Sequence, residues 1–287
     1  MKKPVKSLAF ICHPARESIP PLLKSLVEWC EENSIQVRMT SRMAKIIERP
    51  ELGMATHEMA AHIDMVIVLG GDGSILEATR SFAADGLPIA GINMGHLGFL
   101  TLEEPGNAVE FLKKIRDGKF RIENRMMLNA TVRRNGRKVF SGIALNDVVI
   151  QKEPMLRVIN INVSISGCVI NTYHGDGLIF STPTGSTAYS LSAGGPIVPP
   201  WVSVIILCPL NCHTLSARPV ITSDQEVLTA RVGCIHSKVD LVLDGQESFR
   251  LQDGDEIDIS RAQELARIVV FQSRNFFEVL RKKMKWG

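Results

Sequence analysis

The stretch Met65-Val66-Ile67-Val68-Leu69-Gly70-Gly71-Asp72-Gly73-Ser74-Ile75-Leu76 decides the fold. Its first five residues form an apolar run that reads as a strand buried on both faces. From Ser74 to Ala84 the spacing of Ile75, Leu76, Ala78, Thr79 and Phe82 predicts a helix. Asp72 is therefore expected between the carboxyl end of a strand and the amino end of a helix. In open α/β sheets that crevice collects ligands, and the unpaired amides and dipole of the helix start favour anions. The flanking glycines are expected to take positive φ and to let the backbone approach a ligand closely. Neither Gly-x4-Gly-Lys-Ser/Thr nor Gly-x-Gly-x-x-Gly occurs here, so no P-loop lysine and no dinucleotide fingerprint accompany the turn. A carboxylate beside phosphates is repelled unless a cation lies between them or it faces a hydroxyl. Asp72 should hold Mg²⁺, deprotonate an acceptor, or do both in sequence. A Gly-Asp-Gly turn that only caps a helix fits the tetrapeptide alone equally well.

Outward from this stretch, the first part of the chain alternates strands and helices: a strand at Ser7 to Cys12, a helix from Ile19 to Asn33 with Pro20 and Pro21 in its first turn, and a strand at Gln36 to Met39. A further strand, Pro88 to Ile92, feeds the loop Asn93 to Thr101, which should border the same crevice as Asp72. A helix is expected from Gly106 to Asp117. This pattern predicts an α/β domain with a doubly wound parallel sheet. After Lys119, β-branched alternation broken by turns such as Asn135-Gly136 and Ser166-Gly167 predicts a mostly antiparallel β-rich domain. The last segment, Asn275 to Lys285, reads as an amphipathic helix. The expected boundaries are 1–120 with 266–287 for the first domain, and 121–265 for the second.

Composition narrows the function. The 287 residues carry 33 Lys and Arg against 30 Asp and Glu, a formal net charge of +3, with 45% hydrophobic residues. That balance is too weak to imply nucleic acid, and no basic stripe interleaved with aromatics accompanies it. The longest apolar runs, Ile63 to Leu69 and Val202 to Leu210, fall well short of the ~20 residues that span a bilayer. The short apolar stretch Leu8 to Cys12 meets His13-Pro14, unlike a secretory signal, so a cytoplasmic protein without a membrane partner is expected. The six cysteines lie in apolar or strand-like contexts, which suits reduced, buried thiols better than a disulfide framework. Cys208-x3-Cys212-His213 and Cys234-x-His236 do not have zinc-knuckle spacing, and His57 and His62 are five apart rather than four, so no metal-ligating set is read from sequence.

The densest polar cluster runs from His174-Gly175-Asp176-Gly177 through Ser181-Thr182-Pro183-Thr184-Gly185-Ser186-Thr187-Ala188-Tyr189-Ser190-Leu191-Ser192 to Gly195-Pro196. Ser181 to Ser186 can cap a helix that Thr187 to Ala193 begins, offering amides and hydroxyls to a polar ligand. A surface Ser/Thr turn is the alternative. Asn146-Asp147 interrupts an otherwise continuous buried run. A carboxylate there can accept both hydroxyls of a ribose diol while the neighbouring amide reads a carbonyl or base edge, and a plain bulge fits the local pattern equally. Asp244, at the end of Val239 to Leu243, carries the same ambiguity.

Taken together, Gly70-Gly71-Asp72-Gly73, Gly91-Ile92-Asn93-x-Gly95-x-Leu97-Gly98-Phe99-Leu100, Leu145-Asn146-Asp147, the Gly175 to Pro196 segment and His213-Thr214-Leu215-Ser216-Ala217-Arg218-Pro219 resemble the bacterial NAD kinase family. The order and spacing extend over nearly the whole chain. Lipid kinases and phosphofructokinases share the glycine-aspartate tetrapeptide; the Thr-Pro-Thr-Gly-Ser-Thr-Ala-Tyr segment is far more specific. The resemblance implies transfer of the terminal phosphoryl group of ATP, or of polyphosphate, to the 2′-hydroxyl of the adenosine ribose of NAD, with a divalent cation, Mg²⁺. It implies Asp72 as the catalytic acid-base residue, with Gly71, Gly73 and Asn93 around it and Phe99 lining an adenine pocket. It further implies Asn146, Asp147, His174, Asp176, Thr187, Ala188, Tyr189, Ser192 and Gln246 as nucleotide-binding residues, with Asp244 approaching the phosphate-accepting ribose. A final helix that returns to the first domain and a homodimer or homotetramer complete the expectation. Rival readings are a lipid kinase, which should offer an acyl groove, a non-catalytic NAD(P) sensor, and an NADP phosphatase.

Overall fold

The computed structural model describes residues 5–12, 17–95, 98–101, 103–153, 157–214, 216–234, 238–271 and 275–286. His13, Pro14, His96, Leu97, Leu215 and His236 of the sequence reading lie outside them. The chain divides into two compact units, Met1–Asn124 with Ala266–Gly287, and Arg125–Leu265.

The first unit opens with β1 (Ser7–Cys12), α1 (Ile19–Glu32), β2 (Gln36–Thr40), α2 (Ser41–Ile46), β3 (Gly53–Met54) and α3 (Thr56–Met59). It continues with β4 (Met65–Gly70), α4 (Asp72–Phe82), β5 (Pro88–Asn93) and α5 (Ala108–Arg116). Every residue of β4 is buried, as a central parallel strand requires. Parallel pairing places the strands in the order β3-β2-β1-β4-β5, and Arg267 and Ile268, from the end of the chain's last strand, pair parallel with Pro88 and Ile89. The chain progresses outward from β1 to β3, then returns to β4 on the other side of β1. That reversal makes the carboxyl ends of β1 and β4 a topological switch point, the place where open α/β sheets accept ligands. Phe10, Leu23, Leu26, Met39, Ile67, Leu69, Phe111 and Ile115 fill the core of this unit.

The second unit is antiparallel. Its strands are β6 (Arg121–Arg134, which begins four residues ahead of the unit), β7 (Arg137–Ala144), β8 (Asp147–Lys152), β9 (Ile159–Ile165), β10 (Cys168–Gly175), β11 (Gly177–Ser181), β12 (Val204–Leu210), β13 (Val220–Ser223), β14 (Leu228–Gly233), β15 (Val239–Leu243), β16 (Glu247–Leu251) and β17 (Glu256–Val270, whose end lies in the first unit). The order β10-β9-β14-β17, joined by the β6–β7 hairpin, faces a second sheet ordered β13-β12-β11-β8-β15-β16. Leu128, Val148, Ile150, Ile161, Phe180, Leu207, Leu241 and Ile259 close the core between these layers. A short helix, α6 (Tyr189–Ser192), covers the other face of the second sheet near Val149, Ile179 and Cys208, and Ala193 packs there. The closing helix α7 (Phe276–Met284) belongs to the first unit, its start capped by the Asn275 side chain accepting from Phe277 N at 2.9 Å.

The structure revises several local expectations. Helix α4 begins at Asp72 itself, two residues earlier than its apolar spacing indicates. Gly70, Gly71 and Gly73 are absent from the positive-φ glycines, so the turn does not use left-handed backbone. At Gly70 the requirement is room, because a Cβ there would overlap the Ser74 hydroxyl. The helix expected from Thr187 to Ala193 is only a 3-10 turn, Thr184–Thr187, followed by the single turn α6, and neither carries a side-chain cap. Among the cysteines, Cys168 is exposed rather than buried. No helix among the described residues is long and apolar enough to cross a membrane.

The β6–β7 hairpin turns on Asn135 at φ 51° and Gly136 at φ 76°. A side chain at a left-handed position costs roughly 1–2 kcal/mol. Gly136→Ala should therefore lower the urea midpoint by that equivalent, whereas Val139→Ala, at an exposed position of the same hairpin, should move it much less.

Candidate active site

In the first unit, Asp72 stands at the first position of α4 and its carboxylate accepts three consecutive backbone donors. Phe99 N reaches Oδ2 at 2.7 Å, while Leu100 N and Thr101 N reach Oδ1 at 3.0 and 3.3 Å. Gly98 makes this approach possible: a Cβ there would overlap Asp72 Oδ1. The loop is fastened at its base as well, where Met94 N donates to Gly70 O at 3.0 Å and Asn93 N to Glu103 O at 2.7 Å. The Asn93 carboxamide turns back on Gly95, with Gly95 N donating to Oδ1 at 3.1 Å and Nδ2 donating to Gly95 O at 3.2 Å. Phe99, expected against an adenine, has its ring 6.2 Å from that of Phe276, with Lys283 Nζ 4.7 Å above it. Gly71 is the extended residue before α4 and Gly73 lies in its first turn.

In the second unit, Leu145-Asn146 links β7 to β8 and is pinned from both sides. Asp244, at φ 52° after β15, accepts from Leu145 N, Asn146 N and Asp147 N at 2.9, 2.7 and 3.2 Å. Asp244 N returns a bond to Asp147 O at 2.9 Å. The carbonyls of the same link are taken by the Ser/Thr cluster: Thr182 Oγ1 donates to Leu145 O at 2.6 Å, and Thr182 N to Asn146 O at 2.9 Å. Gly185 lies so close that a Cβ would overlap Asn146 O. Ser186 Oγ locks the segment by donating to Pro183 O at 2.7 Å, and Val198 N approaches the same hydroxyl at 3.0 Å. The serines and threonines expected to offer hydroxyls to a ligand are thus largely spent on shaping the backbone around Asn146.

This arrangement leaves a cavity of about 280 Å³ lined by Asn146, Asp147, Val149, Gln151, Ala188, Tyr189, Val242, Asp244 and Gly245. Five of the expected nucleotide-binding residues meet there: Asn146, Asp147, Ala188, Tyr189 and Asp244. Asp147 is 4% exposed, and burial, followed by the charge of Asp244, pushes its carboxyl up to about 7. The expectation that Asp244 approaches a ribose meets a carboxylate already committed to three amides; it holds Asn146 and Asp147 in place.

Other expected residues are not among those that line the cavity. Asp176 receives Asn211 Nδ2 at 2.9 Å and pairs with Lys152 Nζ at 3.2 Å; Asn211 first, then Lys152, hold its carboxyl below the usual range against the opposing effect of burial. His174 is exposed on β10, its Nδ1 2.6 Å from Asn160 Oδ1. Thr187 donates to Thr184 O at 3.3 Å, Ser192 is exposed on α6, and Gln246 lies in the turn after Gly245, its N–H bonded to Leu243 O. Sequence reasoning missed Gln151, Val149 and Val242 in the cavity, Lys152 and Asn211 at Asp176, and Gly98 at Asp72. The alternation of β8 carried the signal for two of these, since Asp147, Val149 and Gln151 share one face. Burial pushes the Cys12 and Cys30 thiols up to about 12, which makes them inert. No cluster of three His, Cys, Asp or Glu side chains among the described residues could hold a metal ion.

A parallel α/β unit with a carboxylate at its switch point, and a β unit with a cavity of nucleoside size that sets carboxyl and carboxamide groups around an apolar floor, define a nucleotide-binding enzyme. Comparison with known proteins narrows this class. The ATP-NAD kinase N-terminal domain matches residues 8–120 and the ATP-NAD kinase C-terminal domain residues 145–271. An NAD kinase of Natranaerobius thermophilus is 37% identical over 283 residues, covering 99% of each chain, and that of Moorella thermoacetica is 42% identical over 262 residues, 91% of this chain and 84% of its own. In structure, yeast NADH kinase complexed with NADH superposes with a TM-score of 0.91 at 22% identity, covering 100% of this chain and 89% of its own. An NAD kinase from Archaeoglobus fulgidus in complex with ATP gives 0.76 at 24% identity, covering 97% and 98%. The chain belongs to the NAD kinase family, enzymes that phosphorylate NAD to NADP.

The raised carboxyl of Asp147 has a consequence for stability. Its folded value near 7 exceeds the usual value near 4, so the fold keeps a proton that the unfolded chain releases. The stability contributed by the neutral acid is complete below about pH 4, is lost progressively as pH rises toward 7, and levels off above that. Asp147→Asn should gain on the parent protein across this window, by at most about 1.4 kcal/mol per pH unit. Chemical unfolding at pH 5, 6, 7 and 8 reads the difference, and a constant offset would remove Asp147 as its source.

Proposed function

We propose that this NAD kinase transfers the terminal phosphoryl group of ATP, or of inorganic polyphosphate, to the 2′-hydroxyl of the adenosine ribose of NAD. The observation that carries the reading is the cavity around which Asn146, Asp147, Ala188, Tyr189 and Asp244 converge from three separate parts of the sequence. In this reading the second unit, 125–265, is the NAD-binding domain and the first is the phosphate-donor domain. Asn146 and Asp147 hold a ribose and the amide or base edge beside it. Asp244 keeps both oriented through the three amides that it collects.

Asp72 removes the proton of the ribose hydroxyl as the new P–O bond forms, because a secondary alcohol is a poor nucleophile at neutral pH. An ionised carboxylate has about four lone-pair sites. The amides of Phe99, Leu100 and Thr101 occupy three, which leaves one to accept the hydroxyl and fixes its direction. A divalent cation, Mg²⁺, enters on the phosphates of the donor as part of that substrate and neutralises their charge. Cytoplasmic location and assembly as a homodimer or homotetramer belong to the same reading and are supported by the family resemblance.

Asp72→Asn should retain the KM for NAD and lose about 10²–10⁴ in kcat, the usual value of general-base assistance. Coupling the product to an NADP-specific dehydrogenase measures it, with ATP and polyphosphate compared as donors; near-normal turnover would remove Asp72 from the base role. Gly98→Ala should lower kcat in the same assay without altering the carboxylate, because the added Cβ displaces it from its amides.

A further inference from the structure

Along β8, Asp147, Val149 and Gln151 point to the same side of the sheet, and all three line the cavity. On the neighbouring strand β15, Val242 pairs with Val149, and Asp240 pairs with Gln151. The cavity therefore has a graded floor: carboxyl groups at Asp147 and Asp244, an apolar middle at Val149 and Val242, and a carboxamide at Gln151. From Asp147 to Gln151 the strand advances about 13 Å, at about 3.3 Å per residue. That is the reach of a nucleoside with its ribose at one end and the far edge of its base at the other.

Gln151 is half-buried, and its side chain has no hydrogen-bond partner among the described residues. Its neighbours explain why. Asp240 is taken by Arg250, whose Nε lies 2.8 Å away. On the other side Gln151 pairs with Gly177, which has no side chain and cannot gain one, since a Cβ there would overlap Ile150 O. A carboxamide offers two donors and an acceptor. The carboxamide is not among the buried unpartnered groups and meets water in the open cavity, so a ligand that supplies both an acceptor and a donor there takes the place of that water.

We infer that Gln151 is a specificity-determining residue that reads a paired donor–acceptor edge on a heterocycle of NAD. The inference rests on the placement of NAD in this cavity under the proposed function. Two parts of NAD carry such an edge: the adenine amino group with its adjacent ring nitrogen, and the carboxamide of the nicotinamide. In either case the planar ring lies over Val149 and Val242, with its ribose toward Asp147.

The test compares kcat/KM for NAD with that for two analogues, one in which purine without the 6-amino group replaces adenine and one in which a carboxylate replaces the nicotinamide carboxamide. The parent enzyme should prefer NAD over one of them by about ten-fold or more, the discrimination typical of a bidentate amide contact. Gln151→Leu should bring that one ratio close to unity and leave the other unchanged; the ratio that collapses identifies the heterocycle. A merely structural role would lower all three rates together and move neither ratio. Gln151→Met, which keeps the length and loses both donors and acceptor, gives the same reading should the leucine variant fold poorly. Both ratios unchanged in either variant, or no discrimination by the parent enzyme, overturns the role of Gln151. Calorimetric NAD binding to Asn146→Ala separates the two levels: weakened binding there with unmoved Gln151 ratios defeats only this inference, whereas unweakened binding defeats the placement of NAD in the cavity.

Discussion

A carboxylate that gathers three consecutive backbone amides is the interaction on which both halves of this enzyme depend. Asp72 does so with residues 99–101 and Asp244 with residues 145–147. Segments that leave a strand end have no ladder partners for their N–H groups, and buried N–H groups must find acceptors. A hydrogen bond to a charged group contributes about 1.5–3 kcal/mol, more than a neutral one. Three of them on one carboxylate offset the cost of taking the charge partly out of water, and they convert a loop into a fixed surface. The amides belong to residues far away in sequence, so each clasp also sets tertiary geometry.

The two clasps are not equivalent in what they leave exposed. Asp244 is 8% exposed, and the carbonyls of the link that it clasps accept from Ser181 Oγ, at Asn146, and from Thr182 Oγ1, at Leu145. Its loop is fully saturated and works as a frame. Asp72 is half-buried at the start of α4, with Gly98 cleared away beside it. The aromatic contact of Phe99 with Phe276 and the ammonium of Lys283 over its ring bind the clasped loop to the closing helix of the same unit. A cation over an aromatic face contributes about 0.5–1 kcal/mol at exposed sites. That is enough to favour one orientation of the Phe99 ring.

Periodicity made the elements of the fold legible. The continuous apolar run of β4, the i, i+3, i+4 spacing of α4 and the Asn135-Gly136 turn each state a local rule that packing did not override. Strand order was not written in these patterns, because any single strand can pair with several neighbours; the switch point beside β4 emerges only from the full set of pairings. The site was legible where chemistry was concentrated in sequence, as at Asn146-Asp147 and Ala188-Tyr189. It was illegible where a residue acts through space on a distant backbone. Gly98 gives no hint in sequence that its missing Cβ makes room for Asp72. The hydroxyls of Ser181, Thr182 and Ser186 look like ligand-binding groups, and only coordinates reveal that they hold the carbonyls of Leu145, Asn146 and Pro183.

The two acids at the cavity, Asp244 and Asp147, sit in different surroundings. Asp244 accepts three N–H donors, whereas Asp147 is pushed up to about 7 by burial and then by the charge of Asp244. Near neutral pH the second acid is therefore balanced between a donor–acceptor and a pure acceptor. A ribose diol can satisfy either form, because each hydroxyl both donates and accepts.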